Sequence, residues 1–249
     1  MSYLYFDIET VPIFDSKEEY FKLKDLIDRE KLTPESSKFL YYKMTKGMLN
    51  PHQGKVIAIA YAVDDGELEI LKEWQLSERM MLQQFYDLAD KATKKGWESK
   101  KPLTYVGFNI LTFDIPFMFC RMQYHKVVTS IEAHDPLWLF RRLFQCSVDL
   151  LQIHLPFNDY KHEGLTHDAL CVTYGLPTKG MRGKDLTDLY YREKYREIED
   201  YVRREFIYPE LFKKILSEGL TDEARFRSSV KTIQGEASSQ RHKGSLGLV

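Results

Sequence analysis

The first strand-like segment of the chain restricts its fold more than any other feature. Side-chain character alternates over residues 3–10, and this alternation predicts a β strand with two distinct faces. One face carries Tyr3, Tyr5, Asp7 and Glu9, and the other carries Leu4, Phe6 and Ile8, which point into a core. The Cα atoms of Asp7 and Glu9 should lie roughly 7 Å apart, so both carboxylates could reach one hard cation. Taken alone, Asp-x-Glu is also explained by a solvated strand edge.

A second segment combines a short strand, a turn and the start of a helix. Residues 103–106 are typical of a buried strand, and Pro116 in a first helical turn indicates that a helix begins near Asp114. Asp is a favoured N-cap residue, so Asp114 could serve only as a cap. It could also bring a third acid to a two-cation site, with Asn109 and Phe113 nearby to meet a substrate. The two roles are compatible.

A third segment pairs a phenol with a carboxylate. Charge and periodicity predict one long helix over residues 187–217, and within it Tyr201 and Glu205 are four residues apart on one face. On a helix this rich in charge, a solvated face is the better explanation of the pair when the segment is considered by itself.

Together, in order and spacing, these segments resemble the three motifs of the DEDD 3′→5′ exonucleases. The likeness is closest to the exonuclease domain of family B DNA polymerases and to stand-alone predicted exonucleases related to it. That family has Asp-x-Glu, Asn-x-x-x-Phe-Asp and, in its tyrosine subclass, Tyr-x-x-x-Asp; here Glu205 stands in place of the last Asp. The resemblance extends over residues 2–216. It implies an α/β, RNase H-like fold with a mixed central sheet flanked by helices.

The resemblance also implies roles for individual residues. Two Mg²⁺ or Mn²⁺ ions would be held by Asp7, Glu9, Asp114 and Glu205. Asp7 would bridge the ions, and Tyr201 would orient the attacking water. Substrate contacts would come from Thr10, Phe108, Asn109 and Phe113. The expected substrate is the 3′ end of single-stranded DNA or RNA, from which nucleoside monophosphates are released.

The remaining pattern indicates the domain organisation. Strands over residues 3–8, 55–63 and 68–74 should form a meander, followed by a helix over residues 77–95. An exonuclease-like domain would span residues 1–220, with a helical insertion at 15–50 after the first strand. The insertion could cover the substrate, bind a replication or repair protein, or decorate the surface. Residues 221–249 lack periodicity and are expected to form a flexible tail, a second place for such a partner.

Charge and cysteine content limit the function classes. The formal net charge is −1, so nucleic-acid binding would depend on local patches and bound cations. Lys179, Arg182 and Lys184 could contact phosphates or belong to a solvated loop. Three cysteines without a CxxC pair favour neither a zinc site nor disulfides, and a reducing cytoplasm is the expected compartment. The pattern predicts neither a membrane span nor an export signal.

Two function classes remain open at this stage. One is an active metal-dependent exonuclease, with DNA favoured over RNA; the other is a nucleic-acid-binding or scaffolding protein that has the fold but has lost catalysis. Glu205 is the residue that separates them. The enzyme is favoured, because the Glu205 carboxylate keeps the charge and the oxygen ligands of the family's Asp and a flexible side chain can absorb the extra methylene.

Overall fold

The strand predicted from residues 3–10 lies at the centre of a five-stranded sheet. The protein is described here by a computed structural model that covers residues 2–98, 103–128, 146–155, 165–180 and 183–219. The strands are β1 (Ser2–Pro12), β2 (Gly54–Val63), β3 (Glu69–Lys72), β4 (Leu103–Gly107) and β5 (Ser147–Asp149). Their order in the sheet is β3-β2-β1-β4-β5.

The pairing of the strands makes the sheet mixed. β1 runs antiparallel to β2 and parallel to β4, and β4 runs parallel to β5. The β2–β3 hairpin turns where the Gly66 amide donates to the Val63 carbonyl at 2.9 Å. This sheet, with its flanking helices, confirms the predicted α/β, RNase H-like fold.

Helices cover both faces of the sheet. They are α1 (Lys17–Asp28), α2 (Lys38–Lys46), α3 (Glu78–Glu98), α4 (Asp114–Tyr124), α5 (His167–Thr173), α6 (Leu186–Tyr191), α7 (Tyr195–Glu205) and α8 (Tyr208–Glu218). Leu4, Phe6 and Ile8 pack with α3 and α4 in one core, as predicted. Tyr5 and Val11 pack with α5–α8 in a second core. The face that carries Asp7 and Glu9 is therefore covered by helices and is not a solvated strand edge.

The stretch between β1 and β2 contains α1 and α2. α1 begins after Ser16, whose hydroxyl accepts the Glu19 amide at 3.1 Å, while the Glu19 carboxylate accepts the Asp15 amide. A small apolar cluster joins this stretch to the end of α6; its buried members are Phe14, Tyr20, Leu23, Leu32 and Tyr191. The insertion is thus fixed to the main body of the fold beside the carboxyl end of β1.

The prediction of one long helix over residues 187–217 is wrong. The chain forms three helices there, with breaks at residues 192–194 and 206–207. Glu193 adopts a left-handed conformation with φ 59°, which ends α6. Pro209 has no amide hydrogen to donate to the residue 205 carbonyl and its ring would crowd that carbonyl, so a new helix starts at Tyr208. Glu205 consequently lies at the very end of α7.

Some predictions concern parts of the chain outside the described residues. The flexible tail at 221–249 and the phosphate contact of Arg182 are among them. Among the described helices, none combines the length and the apolar character that a bilayer crossing requires.

Candidate metal centre

Three of the predicted acids meet at one point beneath the helices. Carboxylate oxygens of Asp7, Glu9 and Glu205 all lie within 4.8 Å of one another. Asp7 and Glu9 come from one face of β1, and Glu205 comes from α7, which packs on that face through Tyr201 and other residues of the second core. Glu9 and Glu205 are buried, and Asp7 is partly buried. Strand alternation and helix packing thus bring together acids that are almost two hundred residues apart in the chain.

Asp114 approaches this group from α4. It is the first residue of the helix, and Phe113 occupies the N-cap position without a side-chain capping hydrogen bond. The Asp114 carboxylate accepts the Ile8 amide at 3.0 Å and shares a hydrogen bond with Asp7. Asp114 is therefore not the N-cap residue, and Asp7 interacts with Asp114 as well as with the other two carboxylates.

Burial and mutual repulsion destabilise the charged forms of these acids. Burial raises the pKa of Asp7 to about 7, and the Glu205 carboxylate adds to the rise. Burial, followed by repulsion from Glu205 and Asp7, holds the pKa of Glu9 well above its ordinary value. Burial and the adjacent Asp7 raise the pKa of Asp114 in the same way. Without a cation, the site retains protons that ordinary carboxylic acids would release near neutral pH.

Lys179 supplies positive charge to the site. Its Nζ pairs with Glu205 Oε1 and lies 5.8 Å from the centre of the Tyr201 ring. Burial alone would lower the pKa of Lys179, but Glu205 and the two acids of β1 together raise it. A hydrogen bond from the Lys179 amide to Asp168 Oδ1, 3.2 Å long, helps to hold the loop after α5 in place. The sequence suggested a phosphate contact or a solvated side chain, whereas the structure pairs Lys179 with a site acid.

Two tyrosines complete the surroundings of the carboxylates. Tyr201 is buried, and burial together with Glu9 and Glu205 raises its pKa far above the ordinary value. Tyr208, at the start of α8, is also buried and donates a hydrogen bond to Asp7. No sequence pattern pointed to Tyr208, because its position depends on how the chain packs after the break before α8.

The donor set suits a hard divalent cation. All three clustered side chains offer oxygen, and neither His nor Cys joins this group within the described residues. Glu205 Oε2 is buried and has no hydrogen-bond partner in the described part of the chain. A buried carboxylate oxygen left in that state is costly, and a bound cation would satisfy it. The residues present therefore fit a metal site.

The loop that carries the predicted substrate contacts is held by a residue that the sequence did not single out. Asp149, at the end of β5, is buried and its carboxylate accepts the amides of Asn109 and Leu111 at 2.9 and 3.0 Å. It also accepts the Leu151 amide at 3.0 Å. Asn109 adopts a left-handed conformation with φ 61° in this loop. An acid at the carboxyl end of a strand was the only sequence signal for this role.

The predicted substrate-binding side chains are at most partly exposed to solvent. Phe108 is half-buried with its ring 5.6 Å from that of His167, and Phe113 is half-buried with its ring 5.5 Å from that of Phe117. The Thr10 hydroxyl donates to the Met48 carbonyl at 2.6 Å and so anchors the end of the insertion. Contact of these residues with a substrate stays a prediction.

Comparison with known families identifies the chain independently of this geometry. Residues 47–243 match a family described as predicted 3′-5′ exonucleases related to the exonuclease domain of PolB. The match contains Asp114, Tyr201 and Glu205, while Asp7 and Glu9 precede it. No curated protein matches the chain. Because the match covers most of the sequence, the chain belongs to this family of predicted 3′-5′ exonucleases related to the exonuclease domain of PolB.

Proposed function

We propose that the protein is a metal-dependent 3′→5′ exonuclease that shortens single-stranded nucleic acid, with DNA the favoured substrate. The observation that carries the proposal is the meeting of Asp7, Glu9 and Glu205 within 4.8 Å, with Asp114 hydrogen-bonded to Asp7. Four acids arranged around one shared member are what a two-cation phosphodiesterase needs. A cytoplasmic location and a role in DNA repair are parts of the same proposal.

The acids would divide between two cations. Glu9 and Glu205 would hold one, Asp114 the other, and Asp7 would contribute to both. Oxygen ligands favour Mg²⁺ or Mn²⁺ over zinc. When bound, such cations stabilise the attacking and leaving oxygens of a phosphodiester. With cations present, the clustered carboxylates would ionise, because positive charge would offset the burial and the mutual repulsion that now raise their pKa values.

Tyr201 would position the attacking water. Its pKa is raised so far that the phenol keeps its proton throughout the physiological pH range. It therefore acts through a hydrogen bond that fixes the water and does not remove a proton from it. Phe108 and Phe113 would stack on the terminal base, which requires no particular sequence, and Asn109 would contact the terminal nucleotide.

A labelling experiment tests direction and substrate class together. Single-stranded DNA and RNA, each labelled at the 5′ or the 3′ end, are incubated with Mg²⁺ or Mn²⁺. We expect immediate release of labelled mononucleotide from the 3′ label and a descending ladder from the 5′ label, with DNA degraded faster. Asp7→Asn should abolish both signals while retaining the fold. Rapid cutting of circular single strands would instead identify an endonuclease.

Glu205 distinguishes an enzyme from a protein that has lost catalysis. Glu205→Asp shortens the ligand by one methylene, so a cation held by it should shift by about 1 Å, enough to disturb an in-line attack. We expect lower activity or an altered preference between Mg²⁺ and Mn²⁺. A rise in activity from a low wild-type rate would favour a protein that has the fold but has lost most of its catalysis. Equal rates in wild type, Glu205→Asp and Glu205→Ala would show that Glu205 is not a ligand.

A further inference from the structure

The second helix of the insertion exposes aromatic side chains that its packing does not require. Leu40, Tyr41 and Met44 of α2 face inward and pack on the small apolar cluster of the insertion. On the outer side, Phe39 is 63% exposed and Tyr42 is 37% exposed. α2 is thus apolar on both sides, and large exposed aromatic groups placed together commonly mark a binding surface.

Lysine accompanies these aromatic side chains, and acids are absent from the segment. Phe39, Tyr42 and Lys46 are spaced by three and four residues and lie on one face of α2; we refer to these three residues as the α2 stripe. Lys46 Nζ lies 5.4 Å from the centre of the Tyr42 ring. No Asp or Glu occurs from residue 36 to residue 63, in a chain whose net charge is −1. Lys43 of α2 is paired with Glu19 of α1 at 3.7 Å, and the remaining positive charge of the α2 segment suits an anionic ligand.

The α2 stripe is fixed close to the candidate metal centre. The turn that follows α2 is tied to β1 by the hydrogen bond from Thr10 to Met48. Gly47 lies so close to Pro12 that a Cβ on it would approach the Pro12 Cβ to 3.1 Å. Pro12 lies three residue steps beyond Glu9 in β1, a distance of about 10 Å. A single-stranded nucleic acid whose 3′ end reached the acids could therefore continue along α2, whose nine residues span about 13 Å.

We propose that the α2 stripe binds the part of the single strand that precedes its 3′ end. Bases stack on Phe39 and Tyr42, and Lys46 lies near a phosphate. This inference rests on the proposed function and extends it to a surface outside residues 47–243. A nucleic acid is favoured over a protein partner because protein interfaces deplete lysine at their cores, whereas single-strand sites combine aromatic faces with positive charge.

Substrate length provides the test. The stretch of β1 between Glu9 and Pro12, about 10 Å, is longer than a stacked dinucleotide, which spans about 7 Å, so a dinucleotide at the acids should not reach the α2 stripe. We expect Phe39→Ala/Tyr42→Ala to raise the KM for a 16-nucleotide oligo-dT about 10-fold or more, and to raise the KM for a dinucleotide much less. The Kd of fluorescently labelled oligo-dT in EDTA should weaken by a similar factor. Lys46→Gln should lower the slope of log Kd against log salt concentration by about 1.

The control is an exposed tyrosine remote from the acids. Tyr124, at the far end of α4 from Asp114, is 72% exposed, and Tyr124→Ala should change Kd and KM by less than about twofold. Unchanged melting temperatures would show that all variants fold. Oligo-dT binding by Phe39→Ala/Tyr42→Ala equal to that of wild type would overturn the inference and point to a protein partner on α2.

A separate readout keeps this inference distinct from the proposed function. Wild-type hydrolysis of the p-nitrophenyl ester of thymidine 5′-monophosphate requires only the acids and the cations. Failure of wild type on this ester and on oligo-dT would overturn the proposed function. Hydrolysis of the ester, together with a KM for oligo-dT that is the same in wild type and in Phe39→Ala/Tyr42→Ala, would overturn the inference alone.

Discussion

The surroundings of the acids on β1 disfavour the charged forms of their carboxylates. Asp7 contacts Asp114 and lies within 4.8 Å of two further carboxylates. The Lys179 ammonium group, paired with Glu205, offsets part of the negative charge of these carboxylates. Such an arrangement is unfavourable for folding by itself, since each buried carboxylate loses hydration and meets like charge. A bound cation would offset this cost, and the protonation of the cation-free cluster should be measurable.

Asp7→Asn should change the pH dependence of stability in a specific direction. The pKa of Asp7 is about 7 in the folded protein against 3.8 for the ordinary side chain, so the folded state binds a proton more tightly than the unfolded state. Raising the pH from about 4 to about 7 then destabilises the cation-free wild type. Asn cannot ionise, so the advantage of Asp7→Asn should be small at pH 4, grow to about pH 7 and stay constant above it. Urea unfolding in EDTA measures this, and a constant difference across the range would contradict it.

Lys179→Met should separate two effects of the lysine, which are the stabilisation of the buried Glu205 carboxylate and the competition with a bound cation. In EDTA, loss of the ammonium leaves Glu205 buried without its partner, which should lower the free energy of unfolding by about 3 kcal/mol. In Mn²⁺, the same change removes a competing positive charge, so calorimetric titration should show tighter Mn²⁺ binding. Lys179→Arg keeps the charge and should stay near wild type in both measurements. Equal Mn²⁺ affinity in wild type and Lys179→Met would show that the lysine does not compete.

Sequence reasoning identified the residues that lie on regular elements and missed those placed by loops. Alternation along β1 is local, so it was sufficient to put Asp7 and Glu9 on one face. The positions of Lys179 and Tyr208 depend on how a loop and a helix break pack against β1, and no local pattern encodes that packing. Lys179 was predicted only as a phosphate contact or a solvated side chain, and nothing in the sequence distinguished Tyr208 from other helical tyrosines.

At the scale of elements, the same limit explains the helix that was predicted as continuous. Charge and periodicity run through residues 187–217 without interruption, yet the chain breaks twice there because of Glu193 and Pro209. The Pro209 break was readable from the sequence, since Pro ends a helix that would otherwise pass through it. A left-handed Glu193 was not, because Glu is seldom found in that conformation. Three short helices, rather than one, allow α6, α7 and α8 to fold over a single sheet face.

Asp149→Asn should expose how the loop after β4 is positioned. An amide group would present a donor to backbone amides that now donate to a carboxylate, so at least one hydrogen bond is lost and one repulsive contact appears. We expect the free energy of unfolding to fall by about 2 kcal/mol and the KM for oligo-dT to rise, because Asn109 and Phe113 move. Mn²⁺ affinity should stay within twofold of wild type. A loss of stability with an unchanged KM would restrict Asp149 to a structural role.

At the scale of the whole molecule, cation binding should stabilise the entire fold. β1 and α7 lie in the same core, so a cation held by Asp7 and Glu205 links them. At a Mn²⁺ concentration 100 times Kd, binding adds about 2.7 kcal/mol, which should raise the melting temperature by roughly 5–10 °C in one transition. Calorimetry with increasing Mn²⁺ measures the shift. Asp7→Asn should show little of it, and a similar shift in that variant would mean that the cation binds elsewhere.

The distance in sequence between the acids has a consequence for the synthesis of the protein. Glu205 is made almost two hundred residues after Asp7 and Glu9. Contacts of such separation form late, because the intervening chain must first be ordered. An unfinished polypeptide that stops before α7 therefore lacks Glu205 and cannot assemble the carboxylate cluster. The candidate metal site can exist only after the last helices of the fold have been made and packed on β1.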